Sequence, residues 1–341
     1  IHGLAWRDQR TIWFTASKAG LTRELHAVDA EGNQRLVERA PVALRLFDLG
    51  SRGRTLITRE ATELAAAGKL AGDTVERELS IFDTSYAGHI SADGTRVLIG
   101  EGAGDAVGDQ GGIYLRKGSA PPVRLGTGIA RELSPDGAYA LVNPFDRKSL
   151  VLLPTGAGSP ITLKLPPNML VNTAVFFPDG KRVLASVSDD ASATPKFFSL
   201  ELAGGAPTKL PIEGFLGALV LPLTADGTRV VLARAGTEFL EWVELSTGKS
   251  NPLIGAKKGE LALRVAADHS AVFVAQLETK PLRVVRIDAK SGARSDFLTL
   301  APREAAGIDN VPWAVLSADA SSYAYTFHRV LSTLYLMTDA D

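Results

Sequence analysis

Four stretches of this chain spell nearly the same phrase: His89-Ile-Ser-Ala-Asp-Gly-Thr-Arg-Val-Leu-Ile99, Glu132-Leu-Ser-Pro-Asp-Gly-Ala-Tyr-Ala-Leu-Val142, Phe176-Phe-Pro-Asp-Gly-Lys-Arg-Val-Leu-Ala185 and Leu223-Thr-Ala-Asp-Gly-Thr-Arg-Val-Val-Leu-Ala233. Weaker copies extend the series both ways. Anchors at Asp8, Arg52, Asp93, Asp136, Asp179, Asp226, Asp268 and Asp319 lie 44, 41, 43, 43, 47, 42 and 51 residues apart. A recurring unit of roughly 40–50 residues has the size of a four-stranded propeller blade.

The phrase carries its own structural logic. Ser or Thr and Asp offer side-chain oxygens to the free amides of a turn, Pro or Ala takes its first corner, and Gly accepts positive φ. The strand after each Gly is apolar throughout, as in Val97-Leu98-Ile99 and Val230-Val231-Leu232, which suits burial on both faces between neighbouring sheets. His269 and Ala320 stand where Gly is lost, so less regular turns are expected there. Further alternating runs around Gly-bearing turns, such as 198–210, 242–253 and 285–297, supply the third and fourth strands of each unit.

The expected fold is therefore all-β: one propeller domain of seven or eight four-stranded blades, eight favoured by the repeat count. The repeats fall at about 1–40, 41–80, 81–126, 127–166, 167–212, 213–256, 257–301 and 302–341. Residues 61–70 have helix-favouring composition but read as a loop or irregular strand in an eroded second repeat. The last repeat offers three strands, at 311–316, 322–328 and 333–337, so a fourth is either missing or comes from chain preceding Ile1, the second being favoured. With neither an initiator Met nor a signal peptide, the sequence reads as part of a longer chain.

A net charge of -1 gives no electrostatic case for nucleic acid or an anionic membrane surface. The absence of Cys rules out disulfides and thiol chemistry. The longest apolar run, 215–223, is far below the ~20 residues of a membrane helix, so no insertion by this segment is expected.

The Ser-Pro-Asp-Gly phrases resemble the TolB-like, WD-type propeller repeat of bacteria. The ordered series of Gly3-Leu-Ala-Trp6 with Ile12-Trp-Phe-Thr-Ala16, Leu25-His-Ala-Val-Asp29, Ile113-Tyr-Leu-Arg-Lys117, Leu150-Val-Leu-Leu-Pro154 and the ending 322–336 is similar to the C-terminal propeller of eukaryotic-like serine/threonine protein kinases of acidobacteria and other soil bacteria. That resemblance implies a non-catalytic sensor or protein-interaction domain, extracytoplasmic (periplasmic) in a membrane-anchored protein, with a protein or small-molecule ligand on one face. The chain contains no His-Arg-Asp catalytic loop, no Asp-Phe-Gly and no Val-Ala-Ile-Lys strand, so no phosphoryl-transfer residue carries over. The alternatives are a propeller enzyme of the polysaccharide lyase or glycosidase type using channel carboxylates, and a free-standing TolB-like periplasmic adaptor.

No catalytic residue and no cofactor is assigned. The loop 101–112 offers Glu101, Asp105 and Asp109 as hard oxygen ligands, making calcium the functional alternative to a solvated connection. Asp189 and Asp190 pose the same choice. The five His are scattered without zinc spacing; His89 stands out because it enters a repeat turn, where a propeller points side chains toward its channel. Trp6, Trp13, Trp242, Trp313, Tyr323 and Tyr325 are expected to pack between blades. Phe145 with Arg147, and Phe327 with Arg329, are candidates for a binding rim, where the second strand of a blade gives way to a loop.

Overall fold

The computed structural model describes residues 1–17, 22–51, 53–102, 111–189, 194–217 and 220–338. Its strands run in chain order. They are β1 (Leu4–Trp6), β2 (Thr11–Ala16), β3 (Glu24–Asp29), β4 (Gln34–Glu38), β5 (Ala43–Leu49), β6 (Thr55–Lys69), β7 (Arg77–Glu78), β8 (Ser85–Ile90), β9 (Arg96–Glu101) and β10 (Gly112–Lys117). Next come β11 (Val123–Gly126), β12 (Ile129–Leu133), β13 (Tyr139–Asn143), β14 (Ser149–Pro154), β15 (Ile161–Lys164), β16 (Leu170–Phe176), β17 (Arg182–Ser188), β18 (Lys196–Glu201) and β19 (Thr208–Lys209). The series ends with β20 (Arg229–Ala233), β21 (Leu240–Glu244), β22 (Ser250–Pro252), β23 (Leu261–Val265), β24 (Ala271–Gln276), β25 (Leu282–Asp288), β26 (Arg294–Leu300), β27 (Ile308–Leu316) and β28 (Tyr323–Met337). Among the described residues every element is a strand.

The chain divides into two compact units: Ile1–Leu64, Glu304–Asp309 and His328–Asp341 form the first, and Ala65–Arg303 with Asn310–Phe327 the second. In the first unit β1 to β4 form an antiparallel meander, and β5 pairs with the opening half of β6. Trp13, Leu25, Ala27, Leu44, Leu46 and Ile57 make its core. The buried Arg23 and Glu60 side chains pair within it.

In the second unit the meanders β8–β11, β12–β15, β16–β19 and β23–β26 follow one another with the expected spacing. The fourth sheet of the series, β20–β22, has three named strands. Its inner edge is reduced to a Leu223–Val230 bridge, because Pro222 has no N–H to give a ladder. The sixth sheet is built from both ends of the sequence: β27 pairs with β28, β28 with β6, and β6 with β7 through Ala67 and Gly68. Residues of the second and eighth repeats thus share a sheet. The last repeat supplies two strands, because 333–337, expected as a separate third, continues β28; β6 and β7 from the second repeat extend the sheet. Of residues 61–70, read from composition as a loop or irregular strand, 61–69 lie in β6, where Ala65, Ala66 and Ala67 are small enough to be buried.

The strand after each repeat turn is buried on both faces, as its composition implies. Val97 and Ile99 join a cluster with Ala66, Leu79 and Val315, while the intervening Leu98 joins Ala130, Ala140 and Val142. Leu141 and Leu184 make the same switch one sheet and two sheets further on. Alternate residues of one strand therefore knit successive sheets together, each buried side chain contributing about 1.5–3 kcal/mol. The turns are uniform. Asp93, Asp136, Asp179, Asp226, Asp268 and Asp319 each accept the amide two residues on, at 2.8–3.0 Å. The turns at His269 and Ala320, expected to be irregular, keep the same hydrogen bonds. Both residues adopt positive φ, 61° and 58°, so the lost Gly appears as strain and not as altered geometry.

Candidate functional site

The inner strands of all six sheets of the second unit wall one cavity of about 560 Å³. Each contributes the residue four positions before its anchor Asp: His89, Glu132, Val175, Pro222, Arg264 and Val315 form one ring around it. The inward direction has a local cause. The pairing register slips between Ala87 and His89, between Ala130 and Glu132, and between Ala262 and Arg264. Such a bulge adds one residue to the inner strand and re-aims the side chain beyond it. Three charged or titratable groups thus meet on a wall whose apolar part includes Leu221, Leu223, Val265, Leu316 and Trp313.

His89 and Glu132 are neighbours. The Leu133 amide donates to His89 Nδ1 at 3.1 Å, so the proton sits on Nε2, which faces Glu132 Oε1 at 3.4 Å. Burial, helped by the Arg264 charge, holds the imidazole pKa down at about 3. Burial pushes the Glu132 carboxyl up to about 7, against the pull of the Phe176 amide, which donates to Oε2, and of Arg264. The pair is a neutral imidazole beside a carboxyl group that titrates near neutrality, not a His-Glu ion pair. Arg131 is fully engaged: Nη2 donates to the Asn172 carbonyl at 2.9 Å, and the Asn143 amide oxygen, once turned toward it, accepts from Nε and Nη2 at 3.0 Å. Arg264 differs. Among the described residues no hydrogen bond or ion pair engages its guanidinium, and burial pulls its pKa down although Glu132 and Asp319 act from a distance to hold the charge.

One edge of the wall is aromatic. Trp313 Nε1 donates to the Ala87 carbonyl at 2.9 Å, and its ring meets Tyr86 edge-on at 5.9 Å. Tyr86 Oη in turn accepts from the Ala130 amide at 2.9 Å.

The sequence candidates fare unequally. His89 lies in the ring. Phe145 borders the cavity and remains 44% exposed. Arg147 braces two sheets, with Nε on the Val171 carbonyl and Nη2 on Asn172 Oδ1, both 2.6 Å. Phe327, expected on an exposed rim, is 2% exposed, because β28 runs straight through it instead of ending in a loop. Arg329 is paired with Glu63 and the Glu304 carbonyl in the first unit. Glu101 touches the cavity, but Ser85, Thr84 and the Phe82 amide take up its carboxylate, and burial raises its pKa. Asp189 pairs with Lys196 at 3.0 Å. Asp105, Asp109 and Asp190 lie outside the described residues, and no cluster of three metal-ligating side chains occurs among the described ones. Trp6, expected between blades, is 61% exposed on the short strand β1.

Glu132, Arg131 and Arg264 escaped the sequence reading. The signal was present: the rule that singles out His89, its place relative to the repeat Asp, selects Glu132 and Arg264 when applied to the other repeats.

No protein-family model matches this chain, and no curated protein matches it in sequence. Solved structures do resemble it. A putative TolB from Agrobacterium tumefaciens is 16% identical with a TM-score of 0.56, the match spanning 79% of this chain and 99% of that one. A chain of a nidogen/laminin complex is 14% identical with a TM-score of 0.51, over 71% and 94%. TolB from Acinetobacter baumannii is 12% identical with a TM-score of 0.48, over 93% and 80%. At these identities the likeness speaks for architecture, and it shows that this chain has a TolB-like β-propeller fold.

Proposed function

We propose that this chain is a non-catalytic sensing module whose central cavity receives a small molecule. The observation that carries this reading is a half-buried guanidinium, Arg264, that no hydrogen bond or ion pair engages among the described residues, on a mostly apolar wall. A charge drawn partly out of water with no hydrogen-bonded counter-group is costly, so a site that keeps one is suited to an occupant that pairs with it. The similarity of the ordered repeats to receptor-kinase propellers supports an extracytoplasmic sensor that passes ligand occupancy to a protein partner. The exposed Phe145 at the cavity border is a contact point for that partner. No helix among the described residues is long and apolar enough to cross a membrane.

The test is a thermal-shift screen of small polar metabolites against the chain and its Arg264→Met variant. Compounds that stabilise the parent chain and lose that effect in the variant are expected. Hits indifferent to Arg264 would overturn the reading.

Glu132 favours a second reading. A carboxyl titrating near 7 beside a neutral imidazole is suited to proton transfer in a lyase or glycosidase. Turnover of a polysaccharide fragment, abolished by Glu132→Gln, would establish that reading in place of the first.

A further inference from the structure

The charged groups of the cavity ring are arranged by position around the channel. Glu132 belongs to the second sheet of the second unit and Arg264 to the fifth, three steps apart among six, so they face each other across the cavity. They are close enough to feel one another's charge, yet no ion pair or hydrogen bond joins them. Between them the wall is apolar, with Val175, Leu221, Leu223 and Val315. A cation and an acid held apart on facing walls are complementary to one molecule carrying both opposite charges. Neither group alone explains the other's burial.

We propose that the cavity binds a small zwitterion of the amino-acid class with an apolar side chain, its carboxylate on Arg264 and its ammonium on Glu132. This assignment rests on the reading of the cavity as a ligand site, and it names the ligand's chemistry. A guanidinium fork matches a carboxylate with two parallel hydrogen bonds. Glu132 Oε2 already accepts the Phe176 amide, which leaves Oε1, now only 3.4 Å from His89 Nε2, to receive an ammonium donor. The apolar remainder of the ring takes the ligand side chain. Simple monocarboxylates satisfy half of this arrangement and place a second anion opposite Glu132.

Proton balance separates the two cases. The groups facing Glu132 are His89 from β8, the Phe176 amide from β16 and Arg264 from β23, with Arg131 beside it on β12. An ammonium arriving at Oε1 favours the carboxylate, so a zwitterion binds with proton release near pH 7. A monocarboxylate favours the protonated acid and binds with proton uptake.

The experiment is calorimetry at pH 7 in two buffers of different ionisation enthalpy, with leucine, 4-methylpentanoate and 3-methylbutylamine as probes. Leucine is expected to bind with proton release, and each single-charge analogue at least about tenfold more weakly, the scale of one lost charged contact. Glu132→Gln should abolish the proton release and weaken leucine while leaving 4-methylpentanoate no weaker and free of proton uptake. Arg264→Met should weaken leucine and the acid alike. Melting curves of both variants show whether each is folded, and 3-methylbutylamine with folded Arg264→Met reads the Glu132 wall independently. If 4-methylpentanoate binds as tightly as leucine, or if leucine binds without proton release, the zwitterion assignment falls while the cavity reading stands. If none of the three probes binds the parent chain, the assignment falls, and the metabolite screen above decides the cavity reading by itself.

Discussion

One carboxylate does most of the work in each repeat turn. Ser91 Oγ donates to Asp93 Oδ1 at 2.5 Å and accepts the Arg96 amide at 2.9 Å; Ser134, Thr224 and Ser317 repeat both contacts. The Ser91 hydroxyl and the Thr95 amide hold the Asp93 pKa down at about 2, and Thr224 does the same for Asp226. The fourth turn residue must take positive φ, which Gly137 does at 69° while His269 and Ala320 do so under strain. His269→Gly and Ala320→Gly should therefore each raise stability by about 0.5–1 kcal/mol, net of the entropy Gly adds to the unfolded chain. Urea midpoints check this, and a fall in both variants would show that the native turn does not strain these residues. Gly137→Val should cost more than Gly118→Val. Both glycines have positive φ, but a Cβ at Gly137 would meet the Arg96 guanidinium at 2.2 Å, whereas nothing lies within 4 Å at Gly118. Arg96 also donates to the Gly137 carbonyl at 3.0 Å, so the larger loss, about 1–3 kcal/mol beyond that of Gly118→Val, includes a contact between sheets.

At the scale of elements, the sixth sheet of the second unit depends on contacts between residues about 250 positions apart. Tyr325 and Tyr323 donate to Glu76 at 2.7 and 3.2 Å, and Thr326 Oγ1 accepts the Ala87 amide at 3.0 Å. Gly68 sits so close to β28 that a Cβ would lie 2.4 Å from the Tyr323 carbonyl. Gly68→Ala should therefore push β6 off β28, cost about 1–3 kcal/mol, and speed hydrogen exchange of the amides in 323–327. Unchanged exchange there would show that β28 is held without β6. This closure was not legible in the sequence, because the pattern of 61–70 is neither alternating nor branched. Its strand state is imposed by a partner from the other end of the chain. What was legible is whatever the local chemistry settles alone: the Asp-Gly turns, and the apolar strands such as Val97-Leu98-Ile99 whose alternate residues face two sheets. The bulges that aim Glu132 and Arg264 inward leave no residue signature, since Gly88, Arg131 and Leu263 occupy the same bulge position.

Across the whole molecule two sets of carboxyl groups respond to pH with opposite sign. The turn aspartates have depressed pKa values, so their stabilisation is complete above the ordinary value of 3.8 and is lost as pH falls toward about 2. Glu132 is the reverse: its folded pKa of about 7 lies above the ordinary 4.5, so the folded state keeps a proton that the unfolded chain has released. Stability from this group is therefore greatest below about 4.5 and declines as pH rises through 7, by about 2 kcal/mol once its contact with the open cavity is allowed for. Glu101, raised by burial, adds to the same slope. His89, held neutral with a folded pKa of about 3 against an ordinary 6.5, works against Glu132: its share is complete above about 6.5 and is lost as pH falls, so the two offset each other between about 4.5 and 6.5. The Glu132 share is therefore read from the difference between the urea midpoints of the parent chain and a variant lacking it, measured from pH 4 to 8. In Glu132→Gln, which keeps a neutral side chain of the same shape, the midpoint should gain on that of the parent chain as pH rises from about 4.5 through 7, by the Glu132 share. Parallel profiles for the two proteins would mean that Glu132 is already ionised throughout, its charge balanced by Arg264 across the cavity. That outcome would also remove the proton release expected when a zwitterion binds, tying a property of the folded molecule to the chemistry of its occupant.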